Sequence, residues 1–279
     1  MSEILERSSA HWSEAGRAGM DAFYRLATDD YRHLALARDW KGLLEAEQAR
    51  VGDRSLNLLD VACGSGKFPN ALVRHAGLAG ARILPIDTAL LDPSAFSIAE
   101  ARAALPAPFR PGAEHETTLQ GLDVPADGHD LVWATHALYA IPEAELPAAM
   151  AKFVEAIAPG GRGIVAHSAA AGHYVAFHER YLDAFDVPGV APYVSAETVA
   201  AALREAGAEV EVQEVVYDSV AGPEDTDAVE GYLQRCVFDD TASLADMLAT
   251  EPLAGYLAAC RDAAGWRFAQ LAHLMTVTG

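Results

Sequence analysis

The feature that most constrains the fold of this chain is a glycine-rich turn that follows a short apolar run. The run covers residues 57–61 (Asn-Leu-Leu-Asp-Val), and the chain then passes through Ala-Cys-Gly-Ser-Gly into a helical pattern that begins at Lys67. A short apolar run bounded by a turn predicts a buried strand. Glycines after a strand let the backbone turn tightly and let a ligand approach the main chain at the start of the next helix. The junction therefore predicts an α/β protein with a ligand site at this turn.

The spacing of the glycines argues against a phosphate ligand. Gly64 and Gly66 are not followed by the third glycine of the dinucleotide motif GxGxxG, and the turn does not fit the motif GxxxxGK[ST]. Asp60, directly before the turn, carries a carboxylate that suits a cationic group such as an ammonium. We therefore expect a ligand that carries a positive charge.

Strands and helices alternate along the rest of the chain. Further strands are predicted over 83–91, 130–135, 162–166, 208–218 and 266–277. Helices are predicted over 10–26, 31–49, 67–76, 94–105, 143–157, 196–206 and 227–260. This order indicates a mostly parallel sheet covered by helices on both faces. We predict a single domain over 1–279, with a helical substrate-side cap (1–50), a cofactor-binding core (51–170), and substrate-side helices with the last two strands (171–279).

Composition and charge exclude several classes of function. The chain has 279 residues, and a domain of this size needs no disulfide or metal to stabilise its core. It has 40 acidic and 20 basic residues, a net charge of −20, and no window rich in Lys and Arg, so it is not expected to bind nucleic acid. No apolar run reaches the ~18 residues of a membrane span, so no membrane partner is expected. The three cysteines are widely spaced and form no zinc pattern, so we expect no metal site and a reducing cytoplasm.

A second acidic residue is expected at the end of the next strand, where it could accept hydrogen bonds from ribose hydroxyls. Asp87 and Asp92 are the two candidates. We favour Asp92, because the pattern ends the strand there and Pro93-Ser94 opens a helix with Ser94 at the N-cap position. Asp87 would then be a mid-strand or loop carboxylate.

Four segments together resemble the class I S-adenosylmethionine-dependent methyltransferases. They are DVACGSG, DPS at the start of a helix, HDLVWATHALYAIP, and PGG before a strand. The resemblance implies a Rossmann-like seven-stranded mostly parallel sheet with a helical N-terminal cap and C-terminal lid additions. It also implies S-adenosylmethionine as cofactor, with S-adenosylhomocysteine as product.

The resemblance assigns the cofactor site residue by residue. Asp60 would organise the turn and the methionine amino group, and Thr135 would offer its backbone to the methionine end. Asp92 and Ser94 would hold the ribose, and Thr117 or Thr118 would lie near the adenine. The full implied set is Asp60, Ala62, Gly64, Gly66, Asp92, Pro93, Ser94, Thr117, Thr118 and Thr135.

Within this superfamily the chain is similar to the histamine N-methyltransferase-like group. The similarity lies in residues 92–94, 115–118, 138–139 and 236–242. The chain departs from the group at four pocket positions, where it has His136, Ala140, His173 and Phe177 in place of a glutamine, a tyrosine and two tryptophans. These differences leave the cofactor site intact and change the pocket, so histamine itself is not the expected substrate.

The predicted catalytic residues are His136 and Tyr139. His136 follows the fourth strand, at the end where α/β sheets bind ligands, and could orient the methyl acceptor or take its proton near neutral pH. Tyr139 could hydrogen-bond to a substrate ring or stack on it. Either residue could instead serve only packing.

Five further residues are predicted to contact the substrate. His173 and Phe177 lie four residues apart and share one helix face. Asp30, at the predicted start of the second helix, resembles the carboxylate that holds a substrate amine in the group, although helix capping would also explain it. Gln270 matches a substrate-binding asparagine of the group. Tyr232 lies in a segment, 227–256, of the kind that closes over small-molecule sites.

The sequence therefore predicts a cytoplasmic, metal-free methyltransferase, a monomer or homodimer, that acts on a small-molecule acceptor. The preferred acceptor is an amine or aromatic heterocycle of the indole or imidazole type, a secondary metabolite methylated at nitrogen or carbon. Alternatives are an O-methyltransferase of a small metabolite and a non-catalytic cofactor-binding protein of the same fold. A nicotinamide-dependent oxidoreductase is disfavoured by the missing third glycine.

Overall fold

The computed structural model describes residues 3–279 and shows a central sheet with helices on both faces. The strands are β1 (Asn57–Val61), β2 (Ile86–Asp92), β3 (Phe109–Glu116), β4 (His129–Thr135), β5 (Ile157–Ser168), β6 (Glu209–Ala221), β7 (Arg261–Asp262) and β8 (Gly265–Thr278). Their order is β3-β2-β1-β4-β5-β8-β6, with the short β7 paired to β8. Strands β1 to β5 run parallel, and β8 lies antiparallel between β5 and β6. The predicted fold class is confirmed, with an additional two-residue strand.

Eleven α-helices surround this sheet in the part of the chain that the structure describes. Before the sheet come α1 (Glu3–His11), α2 (Arg17–Leu36) and α3 (Trp40–Val51). Between the strands come α4 (Lys67–His75), α5 (Ala95–Ala104), α6 (Leu146–Glu155), α7 (His173–Ala184), α8 (Ala196–Glu205), α9 (Thr226–Val237), α10 (Leu244–Ala249) and α11 (Leu253–Ala259). Ser94 caps α5 as predicted, because its side chain accepts a hydrogen bond from the Ser97 amide.

The helices predicted over 10–26, 31–49 and 227–260 were wrong in their bounds. In place of the first two, α2 begins at Arg17 and ends at Leu36, before α3. The predicted break near residue 30 is absent, because a buried stripe of Leu26, Asp30 and Leu34 continues along α2 through that point. The single helix predicted over 227–260 is three helices. Phe238 adopts a left-handed backbone (φ 49°) that ends α9, and Ser243 starts α10 with a capping box.

The core lies in three main clusters. One packs α6 and α8 against one face of the sheet, and a second packs α3 and α4 against the other. Strand β4 serves both, since Val132 faces the first cluster and Trp133 the second. The third cluster joins α7, α9 and α11 to the start of β8. No helix among residues 3–279 has both the length and the apolarity needed to cross a bilayer.

The sheet register brings the carboxyl ends of β1, β2 and β4 together. Val61 pairs with Leu91 of β2 on one side and with Ala134 of β4 on the other. Asp92 and Thr135, one residue further along their strands, therefore lie at the same edge as the glycine turn after β1. In an open parallel sheet this edge is where ligands bind.

Candidate active site

A cavity of about 600 Å³ opens at this edge of the sheet. Its volume lies in the range of small-molecule and cofactor sites. Eleven of the predicted site residues line it: Asp30, Asp60, Ala62, Gly64, Asp92, Pro93, Ser94, Thr118, Thr135, His136 and Tyr139. The cavity therefore unites the predicted cofactor turn with the predicted catalytic pair.

The glycine turn presents bare main chain to the cavity. Ala62 and Gly64 both have left-handed backbones, with φ of 51° and 50°. A Cβ atom at Gly64 would meet no atom within 4 Å, so open space faces this part of the turn. Gly66 also has a left-handed backbone, with φ of 67°, and a Cβ there would lie 3.3 Å from the Ala101 backbone of α5. Gly66 packs two helices together and does not line the cavity.

Asp92 ties the glycine turn to the start of α5. Its Oδ2 accepts a hydrogen bond from the Gly64 amide at 3.2 Å, and its Oδ1 accepts one from the Ser94 amide at 2.9 Å. Burial raises the pKa of Asp92 to about 6. Asp87, the other candidate, lies outside the cavity and pairs with Arg110 on the surface. Carboxylate oxygens have further lone pairs, so Asp92 can still accept hydroxyl groups from a ligand.

Asp60 is a second buried acid at the turn. Only 3% of the residue is exposed, and burial raises its pKa to about 7, with a smaller contribution from the nearby Asp92 carboxylate. No ion pair to either acid is present among the described residues. Two buried carboxylates of this kind fit a ligand that carries positive charge and hydroxyl groups.

His136 and Tyr139 form a hydrogen-bonded pair in the loop after β4. The His136 Nδ1 lies 3.0 Å from the Tyr139 hydroxyl oxygen, and that oxygen accepts a hydrogen bond from the Ser168 amide at 3.2 Å. Tyr139 also stacks on His167, with ring centroids 4.1 Å apart. His136 has a left-handed backbone (φ 52°), and burial lowers its pKa to about 3, so its ring is neutral. Its Nε2 has no partner among the described residues.

Asp30 is buried inside α2 and is not a helix cap. Its Oδ2 accepts a hydrogen bond from the Tyr174 hydroxyl, whereas its Oδ1 has no partner in the described chain. Burial raises the pKa of this carboxyl to about 7, although the nearby hydroxyl groups of Tyr174, Tyr217 and Ser219 act to lower it. The cavity wall around it is aromatic, with Phe23, Tyr31, Tyr139, Tyr174 and Tyr193 in the lining.

The other predicted residues lie outside the cavity lining. His173 stacks between Phe177 and Tyr232 at centroid distances of 5.3 and 5.6 Å, and its Nδ1 lies 2.8 Å from the Tyr256 hydroxyl. Gln270 donates to the Tyr232 hydroxyl at 3.0 Å. These four residues belong to the core region between α7, α9 and β8, because α7 turns Tyr174 rather than His173 and Phe177 toward the cavity. Thr117 also lies outside the lining, although Thr118 is part of it.

Sequence reasoning missed the charged residues that close the cavity. Arg235 of α9 is 3% exposed and donates to the carbonyl oxygens of His11 and Gly16. Its guanidinium lies 5.0 Å from the Trp12 ring. Lys67 lies 4.3 Å from the Tyr24 ring on the same side. These contacts join residues far apart in sequence, so no local spacing could have indicated them.

The lining fits the cofactor that the sequence resemblance implies. The two acids and the open main chain at Gly64 match a ligand with hydroxyl groups and positive charge, as a sulfonium nucleoside has. The aromatic wall lines the same cavity as the glycine turn. Within residues 3–279, no three His, Cys, Asp or Glu side chains are grouped as metal ligands.

Comparison with known proteins gives the same class. The profile of the methyltransferase domain family matches residues 29–213. A Bacillus halodurans C-125 protein, provisionally named a methyltransferase, is similar in structure, with a TM-score of 0.55, 14% identity, and coverage of 84% of this chain and 97% of that chain. The YcgJ protein of Bacillus subtilis gives a TM-score of 0.53 at 13% identity, over 85% of this chain and 96% of that one.

A third similar structure was solved with a cofactor product bound. It is magnesium protoporphyrin IX methyltransferase from Synechocystis PCC 6803 with S-adenosylhomocysteine, with a TM-score of 0.52, 14% identity, and coverage of 97% of each chain. At these identities the likeness shows the fold alone. No curated protein sequence matches the chain. The finer similarity to the histamine N-methyltransferase-like group stays a prediction, whereas the predicted enzyme class, an S-adenosylmethionine-dependent methyltransferase, is confirmed. The family match covers well over half of the sequence, and the chain therefore belongs to the methyltransferase domain family.

Proposed function

We propose that this methyltransferase transfers a methyl group to the amine nitrogen of a small aromatic molecule. The observation that carries the proposal is the Asp30 carboxyl, which is 2% exposed and has one oxygen without a partner in an aromatic cavity wall. A buried carboxylate is costly unless a cation or hydrogen-bond donor satisfies it. Aromatic faces attract cationic groups as well. The Asp30 carboxyl and the aromatic wall together favour an amine as the acceptor over a neutral or anionic molecule.

The cofactor would lie along the glycine turn. Asp60 would hold the methionine ammonium, Asp92 and Ser94 the ribose hydroxyls, and the Gly64 main chain would contact the nucleoside without a side chain between them. Thr118 would lie on the adenine side and Thr135 at the methionine end. When bound, S-adenosylmethionine supplies a methyl group that the positive sulfonium activates. The bond between this methyl carbon and sulfur breaks on transfer, and its electron pair stays on sulfur.

The chain's own residues have to deliver a neutral, oriented amine. An ammonium has no lone pair, so it must lose a proton before it can attack. Asp30 can take that proton at neutral pH, because its pKa of about 7 keeps part of it ionised. The aromatic wall excludes water and holds the ring, so that the nitrogen can lie in line with the methyl carbon at ~3 Å. When the neutral nitrogen takes the methyl group it becomes positively charged, and this new charge faces the same carboxyl, which now carries the proton.

Label transfer from tritiated S-adenosylmethionine tests the proposal. The acceptors are phenylalkyl and indolylalkyl amines, their N-acetyl derivatives, and catechols. We expect label on the free amines only, and a drop in kcat/KM of about 100-fold in Asp30→Asn, because a charge-assisted contact is lost. Binding of S-adenosylhomocysteine to the variant is the control for folding. Label on catechols that is unaffected by Asp30→Asn would instead support O-methylation.

A further inference from the structure

We infer that Tyr139 holds His136 in the tautomer that carries its proton on Nε2, so that His136 offers the methyl acceptor a hydrogen-bond donor and is not its base. The identity of the acceptor rests on the proposed function, whereas the tautomer follows from contacts within the chain. The assignment gives His136 a role in selecting the acceptor. It also predicts which atom of the acceptor lies beside it.

The Tyr139 hydroxyl has two hydrogen-bond neighbours, the Ser168 amide and the His136 ring. Its oxygen accepts a hydrogen bond from the Ser168 amide, at 3.2 Å. Among the hydrogen bonds of residues 3–279 its proton has one acceptor, the His136 Nδ1 at 3.0 Å, and the Ser168 side chain also lies close enough to act on the Tyr139 pKa. A buried hydroxyl that donates nothing would leave its proton unsatisfied. Tyr139 therefore donates, and Nδ1 accepts with its lone pair.

In a neutral imidazole the state of one ring nitrogen fixes the state of the other. A neutral ring has one N–H and one lone pair, so a ring whose Nδ1 accepts must carry its proton on Nε2. The ionisable groups around the ring are Tyr31, Tyr139, Tyr174 and His167, with Asp30 behind Tyr174. Burial lowers the pKa of His136 to about 3 and that of His167 to about 4, so both rings are neutral.

The Nε2–H of His136 is buried. It has no acceptor among the described residues, although His136 lines the cavity. The ring is held in place, because the His136 amide donates to the Ala166 carbonyl at 2.8 Å and Tyr31 lies edge-on at 6.1 Å. No lone pair of His136 is left to take a proton. The acceptor molecule should therefore place a lone pair here, from a ring nitrogen, a carbonyl or a phenolic oxygen.

Nitrogen-15 NMR of the histidine rings in the full-length protein tests the tautomer without a substrate. The His136 signals are identified by their loss in His136→Gln. We expect a neutral ring with a protonated Nε2 from pH 5.5 to 8, with and without S-adenosylhomocysteine. In Tyr139→Phe the Nδ1 loses its donor, so a second tautomer should appear. A ring protonated on Nδ1, or charged at neutral pH, would overturn the inference.

Tyr256→Phe is the matched control. It removes the same kind of hydrogen bond from His173, outside the cavity. We expect the His173 signals to change and the His136 signals to stay. If Tyr139→Phe unfolds the protein, the wild-type spectrum and this control still decide the question. If the wild-type protein did not bind S-adenosylhomocysteine, the proposed function would be contradicted. The NMR result on the tautomer would stand independently.

Steady-state kinetics tests the role once an acceptor turns over. His136→Leu removes the donor and should raise KM by about tenfold, whereas His136→Gln keeps an N–H and should raise KM less than His136→Leu does. The pH profile should keep its shape in both variants. A base would behave differently: kcat would fall by about 100-fold or more and one limb of the pH profile would disappear.

Discussion

Gly64 lies where the main chain approaches the proposed cofactor most openly. Its φ of 50° and the open space beside it have separable consequences. In Gly64→Ala the left-handed backbone should cost about 1–2 kcal/mol of unfolding free energy. The added methyl group would also enter the cavity, so we expect the affinity for S-adenosylhomocysteine, measured by calorimetry, to fall at least about tenfold.

Gly77→Ala is the matched control for this prediction. Gly77 has a similar φ of 66° with nothing within 4 Å of its Cβ position, and it lies outside the cavity. We expect a similar loss of stability and no change in affinity. Equal affinities for both variants would mean that the ligand does not approach the turn at Gly64.

The buried acid Asp60 should make stability fall as pH rises. Its pKa is raised to about 7 in the folded protein, so the folded chain holds a proton that the unfolded chain has lost above pH 4. The free energy of unfolding therefore decreases as the pH rises from 4 to 7. The decrease due to Asp60 is at most about 1.4 kcal/mol per pH unit. Asp60→Asn has no such proton, so its stability relative to the wild type should increase from pH 5.5 to 7.

Urea unfolding at several pH values measures this difference. Asp130→Asn is the control, because the pKa of Asp130 is lowered and this carboxyl does not titrate above pH 5.5. Its stability difference from the wild type should be flat over the same range. A flat difference for Asp60→Asn as well would show that this carboxyl is ionised in the folded protein throughout.

At the scale of elements, an N-terminal strap (residues 11–16) closes the cavity and depends on α9. Arg235 binds both ends of the strap through the His11 and Gly16 carbonyls, and Ser94 donates to the Trp12 carbonyl at 3.1 Å. Arg235→Met would remove the guanidinium that donates to both carbonyls. We expect trypsin to cleave faster at Arg17 and S-adenosylhomocysteine to bind several-fold more weakly.

Arg180→Met is the matched control for the strap. Arg180 of α7 also lies over an aromatic ring, Tyr256 at 4.9 Å, and donates to a backbone carbonyl, but it does not touch the strap. Cleavage at Arg17 should be unchanged in this variant. Equal digestion rates for both variants would contradict a role of Arg235 in holding the strap closed.

The sequence predicted the elements whose signals are local. The strand before the glycine turn, Asp92 at the end of β2, and the Ser94 cap all depend on neighbouring residues, and the structure has each of them. The α2 helix was divided wrongly because its continuity depends on burial. The face of α7 was also misjudged, since a four-residue spacing cannot tell which side of a helix meets the site. The Tyr174–Asp30 hydrogen bond joins residues 144 positions apart, so no sequence pattern indicated it.

At the scale of the whole molecule, the sheet order explains why one cavity can serve both ligands. Strands β1, β2 and β4 end side by side, which places the glycine turn, Asp92 and the His136 loop around one opening. The helices α2, α7 and α9 close it from the other side with the Asp30 and Tyr174 wall. The chain's net charge of −20 agrees with this arrangement, because an acidic molecule attracts cationic ligands.

The central claim is that S-adenosylmethionine binds between the glycine turn and Asp92. Calorimetric titration of S-adenosylhomocysteine into the wild-type protein, Asp92→Asn and Asp87→Asn tests it most directly, since the two aspartates lie five residues apart on β2 and only Asp92 lines the cavity. We predict binding to the wild type, an affinity at least about tenfold lower for Asp92→Asn, and no change for Asp87→Asn. Equal binding by all three proteins, or no binding by the wild type, would contradict the claim.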